Sequence, residues 1–455
     1  MSERNEPSSK RDWKNWAHTV CIEVEELYRP KGLDELKTAV ADAVAKGQKL
    51  RAIGSGHSWS ALGLPGIRVG RKSCDRAAGP QPKTALIFTD DLNKVLSIDR
   101  DRKRVWVEAG IKLNQLSEKL FADRLSLPNM GDIDRQSIAG AVSTDTHGSS
   151  IKAGSMSQIV TGMTLVTADG AIYDVPAKEI ELVRISLGRL GVIYALELAV
   201  VDALYLDHRR TTIDFSTEIP HIRDMLDRHR NLEYWYLPYT ERADRLSRDE
   251  IGEVDERSYW RLNLQTRLGA QLLDFVGRRF PHRLPGLFRW LAKRRRDEYR
   301  EGPSHKIFPT VAQATVDSLK TYTMEYQFDF AKLDEAYREL RDSIAAAKDA
   351  GVYVSLPIHI RFIPQNESPH SPARWPVTAS FSVNLSANHK GVDTWFIDLE
   401  QRLTRRDGVG ARAHLGKMYY REIDLGPEFE SLRARLDPNG VFNNPQPLYQ
   451  EGSNP

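Results

Sequence analysis

Apolar residues recur every three or four positions in three stretches of the chain, which is the period of an amphipathic helix. These stretches are residues 33–47, 112–123 and 333–344. Gly47 ends the first stretch and Gly351 lies beyond the third, and glycine commonly terminates a helix. The pattern therefore predicts three helices, each of which buries one face.

Short apolar or alternating runs predict strands between these helices. Residues 49–53 precede a glycine-rich turn, and residues 159–166 and 171–175 flank an Asp-Gly pair that is typical of a hairpin. Further strand-like runs lie at 85–89, 95–98, 105–108 and 192–201, with a hairpin turn at 99–102. The arrangement is α+β, and no acidic residue follows the glycines at the position that a Rossmann unit uses for ribose.

Near residues 203–207 the pattern changes, because aromatic residues and arginines become frequent. Aromatic runs such as 234–239 and 381–384 predict strands of a second α+β domain. In a strand over 352–362, His359 and Arg361 point to the same face, with apolar residues on the other. This pair is either reactive or part of a solvated edge strand.

The composition is that of a globular protein, with 455 residues, 40% hydrophobic, and a mean hydropathy of -0.48. This length predicts two or three domains. No apolar run approaches the roughly 20 residues of a membrane span, and residues 1–10 lack the apolar core of a secretory signal. Cys21 and Cys74 match no metal-ligand spacing and fit a reducing compartment, so we expect a cytoplasmic protein without a metal site.

A net charge of +3 is too balanced to predict nucleic-acid binding. One segment, residues 278–296, is nevertheless strongly basic. Such a segment could lie on an anionic membrane surface. Asp297 and Glu298 follow it directly, which favours a solvated helical face over the membrane contact.

The glycine-rich turn follows the predicted strand at 49–53 and reads Gly54-Ser55-Gly56-His57-Ser58. Glycines let backbone N–H groups approach an anion closely, so the turn can bind a pyrophosphate, with His57 at its rim. An ordinary loop would explain the turn equally well. A second stretch, residues 127–150, is rich in Gly, Ala, Ser and Thr, which favours packing against a flat polar ligand over a flexible linker.

Three ordered motifs carry a family resemblance: residues 54–58, residues 136–141 leading to 146–148, and residues 186–193. Together they resemble the FAD domain of the vanillyl-alcohol-oxidase (PCMH-type) superfamily. Within it the chain is most similar to the sugar-lactone and polyol branch, which includes gulonolactone, arabinonolactone and alditol oxidases. The resemblance runs from about residue 24 to residue 449.

The resemblance implies an α+β fold in two domains. It places a flexible tail at 1–17 and a two-subdomain FAD-binding domain at 18–205. A substrate or cap domain, with an antiparallel sheet flanked by helices, would occupy 206–424. Residues 425–455 would return to the FAD domain.

The cofactor implied is FAD, attached covalently through His57. Some relatives add a second bond from a cysteine in the stretch that matches 127–133, but this chain has no cysteine there. The expected cofactor-binding residues are Ile53, Gly54, Ser55, Gly56, His57, Ser58, Ser60, Gly131, Asp132, Ser137, Gly140, Ser143, Thr144, Thr146, His147, Gly148, Gly191 and Ile193.

The resemblance also assigns catalytic residues. The family's strand carries Glu-x-Arg facing the flavin, so Arg361 matches it and His359 replaces the glutamate. His414-Leu415-Gly416-Lys417 is similar to the family's His-Trp-Gly-Lys, which places Lys417 near the flavin and the substrate hydroxyl. Lys417 and Arg361 would stabilise negative charge, and His359 would accept the hydroxyl proton.

Ser137, Asn384 and His414 are the expected substrate contacts. Because His359 stands where the family has a carboxylate, we expect either a different hydroxylated substrate or a base located elsewhere in the site. The resemblance thus implies an FAD-dependent oxidoreductase that oxidises a CH–OH group of a sugar, aldonolactone or alditol by hydride transfer to flavin N5. Molecular oxygen would accept the electrons and yield hydrogen peroxide.

Two alternatives remain open. A dehydrogenase of the same fold would pass electrons to another acceptor and could oxidise a lipid-linked or natural-product sugar. A non-catalytic flavin-binding protein would explain the altered His359 and Leu415 as a lost active site. Lys417 and Arg361 argue against this second alternative.

Overall fold

The computed structural model describes residues 12–60, 83–254, 260–294, 297–309, 320–386, 391–421 and 423–442. Cys74, the first eleven residues of the predicted tail and the last part of the predicted C-terminal segment lie outside these ranges. The described residues confirm an α+β fold, and the sheets and helices that build it are given below.

The described strands are β1 Asp12–Lys14, β2 Cys21–Glu23, β3 Glu26–Tyr28, β4 Lys49–Ile53, β5 Thr84–Phe88, β6 Val95–Asp99, β7 Arg104–Glu108, β8 Leu125–Ser126, β9 Val160–Val166, β10 Ile172–Asp174, β11 Val192–Ala199, β12 Val201–Asp202, β13 Tyr205–Asp214, β14 Asn231–Tyr236, β15 Arg242–Arg248, β16 Glu250–Ile251, β17 Glu298–Pro303, β18 Thr321–Asp329, β19 Ile358–Pro364, β20 Val377–Ser386 and β21 Arg412–Ala413. The described helices are α1 Leu33–Ala45, α2 Leu113–Ala122, α3 Ile138–Ser143, α4 Ile180–Val183, α5 Phe215–Glu218, α6 Ile222–Arg228, α7 Trp260–Arg279, α8 Leu284–Arg294, α9 Ser304–Ile307, α10 Leu333–Asp349, α11 Val392–Thr404 and α12 Pro427–Leu436.

Two larger sheets, of three and five strands, build the described first half of the chain, beside the two-stranded pairs β1-β2 and β8-β12. β3, β5 and β4 pair in parallel, and α1 packs on them through Leu36 and Val40. β10, β9, β11, β7 and β6 form an antiparallel sheet in that order. The predicted helices α1 and α2 and the two predicted hairpins are therefore confirmed.

The second half is built around one antiparallel sheet of nine strands. Its order is β16-β13-β15-β14-β19-β20-β18-β21, and β17 also pairs with β13. One face is apolar, and Tyr234, Ile360, Phe362 and Phe381 on it pack with residues of α10 and α11 in a single core. The alternation of side chains along each strand leaves the other face polar.

The polar face carries a group of buried or half-buried side chains in register, which we call the charged sheet face: Glu233, Trp235, Glu325, His359 and Arg361. Trp235 lies opposite His359 and Glu233 lies opposite Arg361. The predicted separation of His359 and Arg361 from the apolar side chains of the same strand is confirmed.

The strand that contains His359 is shorter than predicted. It begins at Ile358, whereas the sequence predicted a strand from residue 352. Pro357 has no N–H group to donate to a sheet ladder. Val352 and Val354 are buried all the same, because they pack into the core beneath the sheet. Apolar character in this segment thus reflects burial and not strand structure.

The described residues nearest the two ends of the chain pack against the first half. β1 lies in the predicted tail and pairs with β2, which follows it, so that Trp13 lies opposite Ile22. Cys21 is disulfide-bonded, which removes cysteine usage as support for a reducing compartment. In α12, Phe429 packs into the core formed by the five-stranded sheet. Among the described helices, none is long and apolar enough to cross a bilayer.

Candidate active site

A cleft separates the first half of the chain from the charged sheet face. Its space, with the open mouth and the solvent in it included, measures about 1430 Å³. The cleft is lined by the turn after β4, the segment around α3, the loop before β11, and Glu325, Arg361, His414 and Lys417. The cleft thus joins the glycine-rich turn to the residues predicted to be catalytic.

One wall is a glycine cradle formed by Gly54, Gly56, Gly140 and Gly191. A Cβ atom at Gly54 would lie 2.0 Å from Ser137 Oγ, and one at Gly191 would lie 2.8 Å from the Val166 oxygen. Gly56 and Gly191 also have positive φ, of 66° and 145°. A side chain at Gly54 or Gly191 would collide with Ser137 or Val166, so glycine is what lets these segments pack together. The wall is therefore bare backbone, which suits the pyrophosphate of FAD.

Buried polar contacts hold the cradle in shape. Arg51 donates to the carbonyl oxygens of Leu187 at 2.6 Å and Gly188 at 3.0 Å. Burial lowers the pKa of Arg51 to about 10, so the guanidinium stays charged at neutral pH. Lys112 Nζ donates to Ser55 Oγ at 2.9 Å. The sequence reasoning assigned no role to Arg51 or Lys112. Arg51 could have been noticed, because a charged residue stands between apolar residues of the strand just before the turn.

His57 lines the cleft at the rim of the cradle, as predicted. Its ring centroid lies 5.4 Å from that of Trp16. The turn is held in place because Trp16 N donates to the Gly56 oxygen at 2.8 Å and Asn15 Nδ2 donates to the Ser58 oxygen at 2.8 Å. The N-terminal segment therefore positions the residue expected to carry the flavin.

The two halves of the cleft meet where the His57 turn contacts the Lys417 loop. Trp59 N donates to the Gly416 oxygen at 2.9 Å, and Ser60 Oγ donates to the Leu415 oxygen at 2.8 Å. Lys417 Nζ lies 4.1 Å from the ring centroid of Trp59. Motifs about 360 residues apart thus form one hydrogen-bonded junction, which fixes the position of Lys417.

The electrostatics at the junction favour one cation beside a neutral histidine. Burial lowers the pKa of Lys417 to about 8, with Arg361 adding to the effect and Glu325 opposing it. Burial lowers the pKa of His414 to about 3, and its Nδ1 accepts a hydrogen bond from Gly416 N at 3.1 Å. At neutral pH Lys417 is charged and His414 is not.

On the charged sheet face, Arg361 lies between two carboxylates. It pairs with Glu325 at 2.8 Å and with Asp132 at 3.3 Å. Glu325 is fully buried and also pairs with His147 Nε2 at 2.7 Å. Burial alone would raise the pKa of Glu325, but the charges of Arg361 and His147 hold it well below the ordinary value.

His359 lies behind Asp132, outside the described lining of the cleft. Its Nδ1 lies 3.4 Å from Asp132 Oδ2, and its ring stacks on Trp235 with centroids 4.8 Å apart and planes 4° from parallel. Asp132 lines the cleft, whereas His359 is not among the described lining residues. The histidine that replaces the family's glutamate is therefore held behind Asp132.

The cleft brings together most of the predicted site residues, including Lys417, Arg361, Ser137 and His414. Of the predicted cofactor-binding residues, Gly148 alone is absent from the described lining; a Cβ atom there would lie 2.2 Å from the Met130 oxygen, so this glycine lets two loops pack. Asn384 is also outside the described lining, and its Oδ1 accepts a hydrogen bond from Thr323 Oγ1 at 2.6 Å.

Sequence reasoning missed Glu325. The residues of β18 alternate between polar Thr323, Glu325 and Gln327 and apolar Met324 and Tyr326, so period two was present in the sequence. His147, Glu325 and His414 place possible metal-ligand atoms within 4.8 Å of one another. In this structure Arg361 already binds Glu325, so the group is part of an ion-pair network.

Comparison with known proteins matches the chain to two family models. An FAD binding domain matches residues 25–176, and a D-arabinono-1,4-lactone oxidase domain matches residues 196–450. An L-gulono-1,4-lactone dehydrogenase of Mycobacterium tuberculosis is 27% identical over 95% of this chain and 97% of its own length. A D-arabinono-1,4-lactone oxidase of Yarrowia lipolytica is 30% identical over 79% and 69%, and an L-gulonolactone oxidase of Mus musculus is 26% identical over 95% and 96%.

Solved structures show the same fold. A solvent-stable cholesterol oxidase has a TM-score of 0.79 at 17% identity and covers 96% of both chains. A cholesterol oxidase from B. sterolicum has a TM-score of 0.75 at 16% identity and covers 98% of both chains. At these identities the likeness concerns the architecture alone.

Proposed function

Because the chain belongs to the D-arabinono-1,4-lactone oxidase family, we propose that it oxidises a hydroxyl-bearing carbon of an aldonolactone or a closely related sugar or alditol. It is an FAD-linked oxidoreductase of CH–OH donors. The observation that carries the proposal is the junction that holds Lys417 beside the His57 turn, with Arg361 across the same cleft.

The residues of the cleft fit FAD. The glycine cradle leaves backbone exposed where a pyrophosphate can accept its hydrogen bonds, and His57 stands at the rim as the proposed covalent attachment point. Bound FAD supplies the hydride acceptor, at N5 of its isoalloxazine ring. The remaining chemistry falls to side chains: they must orient the substrate, accept its hydroxyl proton and stabilise negative charge on its oxygen.

Lys417 is proposed to bind the substrate oxygen as a cation. A positive charge at this place stabilises an alkoxide that develops as the proton leaves. The pKa of about 8 keeps this charge at neutral pH, and the burial that lowers the pKa also leaves the ammonium less hydrated than that of a surface lysine. Hydrogen bonds from Trp59 N and Ser58 Oγ to the Gly416 oxygen hold the backbone next to Lys417 in place.

Arg361 is proposed to share this role, and Glu325 is proposed to position it. The Glu325 carboxylate holds one side of the guanidinium at 2.8 Å, while Asp132 holds the other at 3.3 Å. Asp132 also lies 3.4 Å from His359, so a proton taken up by His359 would be stabilised by a carboxylate. We therefore propose His359 as the base that finally holds the hydroxyl proton, with the Asp132 carboxylate taking the proton in the cleft and passing it to the imidazole.

The electron acceptor separates two versions of the reaction. Two of the relatives named above are oxidases and one is a dehydrogenase. We propose oxygen as the acceptor, with hydrogen peroxide as the product. Rapid mixing of the reduced enzyme with dissolved oxygen tests this choice: fast reoxidation supports an oxidase, and reoxidation too slow for turnover would support a dehydrogenase.

A substrate panel tests the function itself. Under anaerobic conditions, aldonolactones should bleach the flavin absorbance, with alditols and free sugars reacting more slowly. If no member of a broad panel bleached the flavin, the non-catalytic alternative would replace our proposal. Acid precipitation followed by peptide mapping tests the attachment, because flavin bound covalently should remain on the peptide that contains His57.

A further inference from the structure

A pair of helices lies outside the active site and exposes apolar side chains to water. The inner sides of α7 and α8 are buried, where Leu273, Leu284 and Phe288 pack in one cluster with Leu237 and Leu356. The opposite side of α7 presents a stripe with helical spacing at positions 268, 272 and 275. A side chain of α8 at position 290 is exposed as well.

The exposed fractions are large for such residues. Leu268 is 56% exposed, Leu272 is 43% exposed, Phe275 is 57% exposed and Trp290 is 48% exposed. The described part of the chain contains seven large hydrophobic side chains with this degree of exposure, and four of them lie on this helix pair. Single exposed apolar residues are common on protein surfaces, whereas several grouped together often mark an interaction surface.

The charges around the stripe have one sign. Between residues 268 and 294, the exposed charged side chains that the structure describes are Arg279, Arg283, Arg289, Lys293 and Arg294. The carboxylate in this stretch, that of Asp274, belongs to a residue only 6% exposed. The Arg294 guanidinium carbon lies 4.8 Å from the ring centroid of Trp290, so cations and apolar groups are direct neighbours.

We propose that this outer hairpin face, comprising Leu268, Leu272, Phe275, Trp290 and the five cations just named, lies on the surface of an anionic lipid bilayer. Leucine, phenylalanine and tryptophan insert favourably at the level of the headgroups, and arginine and lysine bind the lipid phosphates. A second copy of the chain fits the face poorly, because a two-fold contact would bring five cations against five without a described exposed carboxylate to balance them. Since the described helices do not span a bilayer, the contact is peripheral.

The structure thus favours a membrane contact for the described part of the basic segment 278–296, whereas the sequence favoured a solvated helical face. From the sequence, Asp297 and Glu298 appeared to balance the basic segment. In the structure they follow α8, and Glu298 begins β17, whose residues pair with β13 in the large sheet. Glu298 pairs there with Arg210 at 3.6 Å, so this carboxylate is engaged with the large sheet and not with the cations of the outer hairpin face.

Co-sedimentation of the holoenzyme with lipid vesicles tests the proposal. Vesicles of phosphatidylcholine with 30% phosphatidylserine, as an example composition, should bind the protein in a salt-sensitive manner, and vesicles of phosphatidylcholine alone should bind it weakly. The triple variant Arg283→Glu, Arg289→Glu, Lys293→Glu should lower the partition coefficient at least about tenfold, because it reverses three of the five charges that attract an anionic surface. The pair Leu272→Ser, Phe275→Ser should lower it by a similar factor.

Matched controls come from the rest of the surface. Leu96 and Ile172 are exposed to a similar extent, at 44% and 45%, so the pair Leu96→Ser, Ile172→Ser should leave binding unchanged. The charge control is Lys119→Glu, Arg223→Glu, Lys348→Glu, three exposed cations on other helices. Since all these side chains are exposed, the variants should keep their flavin content and thermal unfolding temperature.

Three results would overturn the proposal. The first is a wild-type protein that ignores the phosphatidylserine vesicles, and the second is control variants that lose binding as strongly as the hairpin variants. The third is a dimer on size-exclusion chromatography that the Leu272→Ser, Phe275→Ser pair dissociates, since the face would then join two copies of the chain. None of these results bears on the oxidation of the substrate, which is measured separately.

Discussion

The two walls of the cleft, the glycine cradle and the charged sheet face, differ in the chemical groups that they present. The glycine cradle offers backbone and small side chains, and its strict requirement is steric, as at Gly54 and Gly191. The charged sheet face offers buried ions, with Arg361 held between Glu325 and Asp132. The first wall is suited to binding an anionic cofactor, and the second to stabilising charge on a reacting oxygen.

This difference predicts different consequences of mutation. A change in the cradle should alter how much FAD the protein holds while leaving the chemistry of bound FAD intact. A change on the charged sheet face should alter the rate of the reaction and the stability of the fold. Lys417 belongs to the junction of the two walls, and its removal should have the largest effect on rate.

Replacing Lys417 by methionine should slow anaerobic flavin reduction by substrate about a thousandfold, while the flavin content stays the same. Methionine keeps the volume of the side chain but removes the charge that we assign to alkoxide stabilisation, and loss of one such group typically costs two to three orders of magnitude. Stopped-flow absorbance measures the rate. Lys152→Met removes a cation of the first half whose amine bonds the Asp227 oxygen and should be silent; a Lys417→Met rate within a few fold of wild type would remove Lys417 from the mechanism.

Glu325→Gln should affect both stability and rate. It leaves the buried Arg361 without one of its two carboxylates, and breaking a buried pair costs about 3 kcal/mol of unfolding free energy. Glu400→Gln is the matched variant, because Glu400 is a buried carboxylate, 2% exposed, that is absent from the described cleft lining and pairs with Arg421 at 3.3 Å. Chemical denaturation should show similar losses in both, but only Glu325→Gln should slow flavin reduction; equal rates would make Glu325 purely structural.

Gly54→Ala should have the smallest effect on the rate of flavin reduction, because it should weaken FAD binding instead. The new methyl group would lie 2.0 Å from Ser137 Oγ, and overpacking of this kind costs about 1–3 kcal/mol. We expect the flavin content of the purified protein to fall, while the molecules that retain flavin react at the normal rate. Gly252→Ala is the control, since its Cβ atom would meet nothing within 4 Å; full flavin content in the Gly54 variant would argue against the cradle.

The cradle could be predicted from the sequence because its parts are local. The strand at 49–53, the turn after it and the small residues of 127–150 are each legible as short segments, and their order supported the resemblance. Helical periodicity likewise predicted α1 and α2 with small errors at their ends. The apolar run from residue 352 also predicted a strand, but in the structure the strand begins at Ile358. Val352 and Val354 are apolar because they are buried in the core.

The charged sheet face could be predicted only in part, because it depends on the pairing of strands that are distant in sequence. Period two placed His359 and Arg361 on one face, but only the register of β18 against β20 brings Glu325 to Arg361. The same holds for Asp132, which the sequence assigned to the cofactor and the structure places against both Arg361 and His359.

The most direct test of the central claim, that Lys417 acts as a cation on the substrate oxygen, is the pH dependence of anaerobic flavin reduction. Lysine loses its charge above its pKa, so the rate constant should fall as the pH rises through about 8. In Lys417→Arg this fall should move to higher pH, because a guanidinium keeps its proton there. A rate that instead rises through pH 8, or an unchanged profile in Lys417→Arg, would contradict the claim.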